Sequence, residues 1–173
     1  YIAYERIGDA SAYTKTLSAS SGTYTSDHGT TMQGANLSFQ PGDSITWNTN
    51  VTYDGAYVIL VKKAAVSGVQ YKLYIDDELT EISAWAQPEG TTWGNAQQAT
   101  TKIFEGINIK KGNHNIKLEI PDISGNGACV FNSLTMTRTG DLTIKGLTEL
   151  LTEGNVSIAV NIPSDIWGGE TVY

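Results

Sequence analysis

Apolar and polar residues alternate with a period of two along much of this 173-residue chain, and that pattern constrains its fold more than any other feature. A strand buried on one face and wet on the other has this period, whereas a helix repeats every 3.6 residues. Over residues 43–51, Ile45, Trp47 and Val51 fall on one side and mostly polar residues on the other. Residues 55–63 are more continuously apolar, as expected of a central strand, and Tyr53, Asp54 and Gly55 form a tight connection into it. Further strands are predicted over 69–75, 100–109, 114–120 and 128–137. Turn residues separate them at Asp76 and Asp77, at Lys111 to Asn113, and at Gly125 to Gly127. Turns at this spacing predict an all-β chain folded as an antiparallel β-sandwich.

Helical spacing occurs once, at Leu147, Leu150 and Leu151 within 145–153, and a further strand is predicted over 156–162. A boundary near Thr139 and Gly140 divides the chain into a sandwich, 1–139, and a part, 140–173, that is a C-terminal extension or the start of a following module. The composition agrees with β structure: 34 Ser plus Thr, nine Tyr and four Trp suit pleated surfaces, and 18 Gly supply turns. Cys129 lies in an apolar run and is expected to act as a small core hydrophobe; with no second cysteine it forms no internal disulfide.

The net charge of -7 and the lack of a basic stripe argue against a nucleic-acid partner and against anionic membranes. No stretch approaches the roughly 20 apolar residues that cross a bilayer. Opening at Tyr1 with neither Met nor a signal peptide, the chain reads as an excised domain or mature fragment, expected to be a monomer.

Catalytic constellations are missing from the sequence. His28 and His114 lie far apart without zinc-type spacing and read as surface or edge residues. There is no G-x-S-x-G elbow and no glycine-rich phosphate loop. Paired carboxylates run glycoside hydrolysis, but Asp76, Asp77 and Glu78 read as a solvated hairpin turn, and Glu81 and Glu89 lie in adjoining segments. The chain is not expected to be an enzyme.

Four segments, 42–51, 55–64, 109–118 and 130–137, resemble in order and spacing the carbohydrate-binding modules of families six and thirty-five. The likeness covers about residues 1–138, with Ala3, Tyr4 and Glu5 similar to the families' N-terminal acidic strand. It implies a galactose-binding-like jelly-roll sandwich. It also implies a non-catalytic module, secreted or at the cell surface, that holds an appended carbohydrate-active enzyme on a polysaccharide. Sugar rings offer apolar C–H faces and hydroxyl edges, so such a site needs exposed aromatics among polar groups.

Trp93 matches the loop tryptophan that stacks on sugar in family six, and Trp85 lies nearby; Trp47, on the apolar side of a strand, is expected in the core. Asn126 matches a position that hydrogen-bonds sugar, although Gly-Asn-Gly also forms a turn for backbone reasons alone. The opposing tyrosine of family six has no counterpart in register; Tyr24, in the polar loop 20–29, is the nearest candidate. A structural calcium is common in these families. Here Glu5 matches its acidic ligand, Asn132 replaces an aspartate of the last strand, and Asp27 is a candidate loop ligand, while Glu5 read alone is an exposed edge-strand carboxylate. The acidic balance favours neutral glycans, although Lys102, Lys110 and Lys111 offer cations to an anionic ligand. The competing expectation is a structural or interaction sandwich serving as a spacer in a larger secreted or cell-surface protein.

Overall fold

The computed structural model describes residues 13–29, 32–65, 67–85 and 98–142. Trp93, Glu5, Glu89 and the elements expected beyond residue 142 lie outside these residues. Within them the chain forms β1 (Thr14–Ser18), a 3-10 turn (Ala19–Ser21), β2 (Thr23–Thr25), β3 (Met32–Gln33), β4 (Asn36–Phe39) and β5 (Ser44–Val51). There follow β6 (Gly55–Ala64), β7 (Lys72–Ile75), β8 (Glu78–Ile82), β9 (Ala99–Ile109), β10 (Gly112–Glu119) and β11 (Cys129–Gly140).

The strands make two antiparallel sheets. The first runs β3-β4-β11-β6-β9, with β1 also paired to β11; the second runs β2-β5-β10-β7-β8. β4 covers the start of β11, over Cys129 to Phe131, and β1 covers Ser133 to Thr137 on the same edge. Asn132 falls between these stretches, at an irregularity in the pairing of β11 with β6, where a bulge re-aims a side chain.

The alternation read in the sequence is the one that builds the core. Ile45, Trp47 and Val51 of β5 are buried, opposite Leu118, Ile116 and Gly112 of β10. From the other sheet Tyr57, Ile59 and Val61 of β6 and Phe131, Leu134 and Met136 of β11 meet them. The Trp47 ring lies 6.1 Å from that of Phe131, and its Nε1 donates to the Ser18 carbonyl at 2.8 Å. Gly22, where the chain crosses between sheets, permits this packing: a Cβ there would lie 2.6 Å from Ile45 and 2.7 Å from Trp47.

Several details correct the sequence reading. Tyr24 lies on β2 rather than in a loop, because three residues suffice to pair with the edge of β5. Regular pairing of β7 begins at Lys72, later than 69, because Ser83 Oγ takes the backbone N–H of Tyr71. β11 runs past Thr137 to Gly140, held by Thr139 Oγ1 donating to the Ala56 carbonyl at 3.1 Å. Glu78 is the first residue of β8, so the hairpin turn is Asp76 and Asp77 alone. Both have positive φ, 53° and 66°, as a two-residue turn of this hand requires. Asp76 does not simply face solvent: its carboxylate accepts the Asn115 N–H at 2.9 Å and meets His114 Nδ1 at 2.8 Å.

Candidate functional site at the loop end

Antiparallel crossing between the sheets collects five connections at one end of the sandwich: those after β2, β4, β6, β8 and β10. Backbone hydrogen bonds tie three of them together, those after β4, β6 and β10. Gly42 N–H donates to the Ile120 carbonyl at 2.8 Å, Ile120 N–H to Asp43 at 3.0 Å, and Gly127 N–H to Gly68 at 3.0 Å. Asp43, 2% exposed, holds the β4–β5 turn by accepting the Gln40 N–H at 2.9 Å, and its other oxygen faces His28 Nδ1 at 3.2 Å.

Asn126 is the centre of this end. Its Oδ1 accepts the Gln70 N–H at 2.8 Å, while its Nδ2 donates to the Gln70 carbonyl at 3.2 Å and the Pro121 carbonyl at 2.8 Å. Both amide hydrogens are thereby engaged in joining the β10–β11 and β6–β7 connections. The Gln70 side chain then reaches on, its Nε2 donating to the Ser83 carbonyl at 3.0 Å. Ser83 is 4% exposed; its Oγ accepts the Tyr71 N–H at 2.9 Å and donates to the Ala84 carbonyl at 2.8 Å. Two residues beyond this anchor, Trp85 is 43% exposed. An exposed indole offers an apolar face that a ligand's C–H surface can stack on.

Hydrogen bonds run from Asn126 through Gln70 to Ser83, two residues before Trp85, and Tyr24 stands apart from them. Tyr24 pairs with Ile45 on β2, and Trp85 follows β8, so the two belong to opposite edges of the second sheet. Four strand spacings separate those edges, about 19 Å, which is too far to grip both faces of one sugar ring. Tyr24 is exposed all the same.

Two of the candidate calcium ligands, Asn132 and Asp27, lie among the described residues. Asn132 lies on the first sheet, where its Nδ2 donates to Asn36 Oδ1 at 3.0 Å, an oxygen that also accepts from Gln98 Nε2 at 2.9 Å. Asp27 lies exposed in the turn after β2, beside the second sheet. Among the described residues no three His, Cys, Asp or Glu side chains gather as a metal site. Cys129 is no nucleophile: burial pushes its thiol up to about 11, against smaller lowering effects of the Tyr71 hydroxyl and of Lys63.

A second feature was not singled out from the sequence. Asn48 and Asn50 of β5 and Asn113 and Asn115 of β10 share the outer face of the second sheet, in register. Asn50 Nδ2 donates to Asn113 Oδ1 at 2.9 Å, and Asn115 Nδ2 to Asn48 Oδ1 at 3.4 Å. With Thr49 and His114 they line a trough of about 310 Å³. Asn115 Oδ1 is buried there without a hydrogen-bond partner among the described residues. The signal was present as two Asn-x-Asn repeats at strand period, which only the pairing of β5 with β10 brings together.

No protein-family profile matches the chain, and no curated protein sequence matches it. Solved structures do. A family 35 carbohydrate-binding module from Clostridium thermocellum matches with a TM-score of 0.52 and 18% identity, over 72% of this chain and 98% of that one. The C-terminal family 6 module of LamC, a marine laminarinase from Zobellia galactanivorans, matches with a TM-score of 0.52 and 17% identity, over 73% and 100%. A family 36 module in complex with calcium and xylotriose matches with a TM-score of 0.54 and 12% identity, over 71% and 99%. The chain therefore has the β-sandwich fold of these modules, the fold that the resemblance in its sequence implied.

Proposed function

We propose that this chain, which has the fold of carbohydrate-binding modules, is itself one: a non-catalytic domain that holds an appended carbohydrate-active enzyme on a polysaccharide, secreted or at the cell surface. The observation that carries the reading is Trp85, exposed at the loop end two residues beyond Ser83, which hydrogen bonds join through Gln70 to Asn126. Sugar stacks on the Trp85 indole and on Trp93, the tryptophan that the resemblance places in the ligand cleft. Asn126 is a positioning residue that sets the loop, because its amide hydrogens serve the fold. Tyr24, at the opposite edge, meets a separate unit of an extended glycan. The exposed carboxamides of Asn48, Asn50 and Asn113 in the asparagine trough offer donors and acceptors to neutral hydroxyls.

A structural calcium held by Glu5 and an oxygen of Asn132 belongs to this reading, and bound there it would fasten the N-terminal segment that carries Glu5 to the first sheet. Asp27, exposed in the turn after β2, is the loop candidate for that ligand set. Affinity electrophoresis through neutral and acidic polysaccharides, with calcium and with chelator, tests the proposal. Retardation by one class of glycan is expected. Free migration through every gel would favour the spacer reading instead.

A further inference from the structure

The end of the sandwich opposite the loops carries a cavity of about 560 Å³ that the glycan site leaves unexplained. It lies over the two connections that cross between the sheets there, β5 to β6 and β9 to β10, and over the end of β11. Tyr53 forms one wall. Its ring stands edge-on to Tyr13 at 5.3 Å, and its carbonyl accepts the Tyr57 hydroxyl at 2.6 Å. The Asp54 carboxylate accepts the Lys111 backbone N–H at 2.6 Å, which fixes Lys111 at the cavity.

Arg138 reaches in from β11 with its side chain only 10% exposed. It lies so closely over Gly55 that a Cβ there would fall 2.5 Å from Nε. Nε donates to the Asp54 carbonyl at 2.7 Å and Nη2 to Asp141 Oδ1 at 2.6 Å. Two of the five guanidinium N–H groups are thus used, and the other three have no partner among the described residues.

We propose that this cavity is a second binding site, taking a small ring-bearing monocarboxylate. Asp141 shows where the oxyanion sits, because its own carboxylate already occupies the Nη2 position. Its side chain is 97% exposed and only three residues from Arg138, the kind of surface pair that contributes little and exchanges readily. A ligand carboxylate that displaces Asp141 keeps the charge-assisted hydrogen bond and gains the unused N–H groups of Arg138. The charge balance selects a monoanion. Lys111 and Arg138 face Asp54 and Asp141, and with Asp141 swung out one positive charge is left over. Tyr53 and the half-exposed Leu142 supply apolar surface for the ring. Two kinds of acid carry this chemistry, sugar acids and aromatic acids.

NMR titration of the full chain separates them, with glucuronate and 4-hydroxybenzoate as probes and glucose and phenol as their uncharged counterparts. At least one acid should produce saturable shifts at Thr52 to Asp54, Lys111 and the Arg138 side chain, and which acid does so identifies the source. Lys111→Gln should weaken that binding about threefold or more. Asp141→Ala should tighten it about twofold to fivefold, because it removes the competing carboxylate. Trp85→Ala should leave it unchanged, so the two sites fail or stand separately. The inference is overturned if neither acid shifts these residues, if the uncharged counterparts shift them equally, or if Asp141→Ala weakens binding.

Discussion

The carboxamide of Asn126 pairs with both backbone polar groups of Gln70, accepting its N–H at 2.8 Å and donating to its carbonyl at 3.2 Å across 56 residues of sequence. A side chain here does what a neighbouring strand does elsewhere in the sheet. Asn126→Ala leaves Gln70 N–H, Gln70 C=O and Pro121 C=O to find water, and should cost about 1–3 kcal/mol of stability. Asn126→Asp should do no better, since it replaces two donors with acceptors opposite two carbonyls. Urea unfolding of the three proteins measures this directly.

Trp47 and Trp85 should respond in opposite ways. Trp47 is 3% exposed, packs on Phe131 and donates to Ser18, so Trp47→Ala should cost about 3–5 kcal/mol. Trp85→Ala at an exposed position should change stability by no more than about 0.5 kcal/mol. Thermal or urea unfolding of the two variants separates the core indole from the surface one.

The thiol of Cys129 should be inert in the folded protein. It is fully buried, and its value of about 11 keeps it protonated at neutral pH. Ellman's reagent at pH 8 should find no reactive thiol in native protein and one per chain in denaturant. Rapid reaction of the native protein would contradict the buried placement.

Asp76 sets an acid dependence. Its carboxyl is held below the ordinary 3.8, chiefly by the Asn115 N–H and then by His114. A lowered folded-state value means that its contribution is present above the unfolded value and is lost as pH falls through the folded one. The stability difference between the wild type and Asp76→Asn should therefore shrink as pH is lowered below about 4. A difference independent of pH across that range would contradict the assignment.

How far the sequence disclosed this protein depends on which signal each element carries. Alternation reports a face buried along the strand's whole length, so β5 and β10 were visible, and continuous apolarity put β6 between two neighbours, β11 and β9. β2 and β8 carry no such signal: all three residues of β2 are exposed, as are four of the five in β8. They are strands because an edge offers them hydrogen bonds, which sequence periodicity does not record. Trp85 was legible as an indole among small and polar residues. The role of Asn126 was not, since the Gly-Asn-Gly turn hides a side chain whose partners come from a distant connection. The asparagine trough and the Arg138 cavity likewise exist only after strand pairing joins residues distant in the chain.

In the function proposed, the chain holds a glycan on the exposed Trp85 indole at its loop end. The most direct test is calorimetric titration of the wild type and Trp85→Ala with the polysaccharide that retards the protein in gels, alongside Tyr24→Ala. Loss of about 1–3 kcal/mol of binding free energy in Trp85→Ala, with its unfolding curve unchanged and a smaller loss in Tyr24→Ala, is the predicted result. Undiminished affinity in Trp85→Ala would contradict it and move the glycan away from this end of the sandwich.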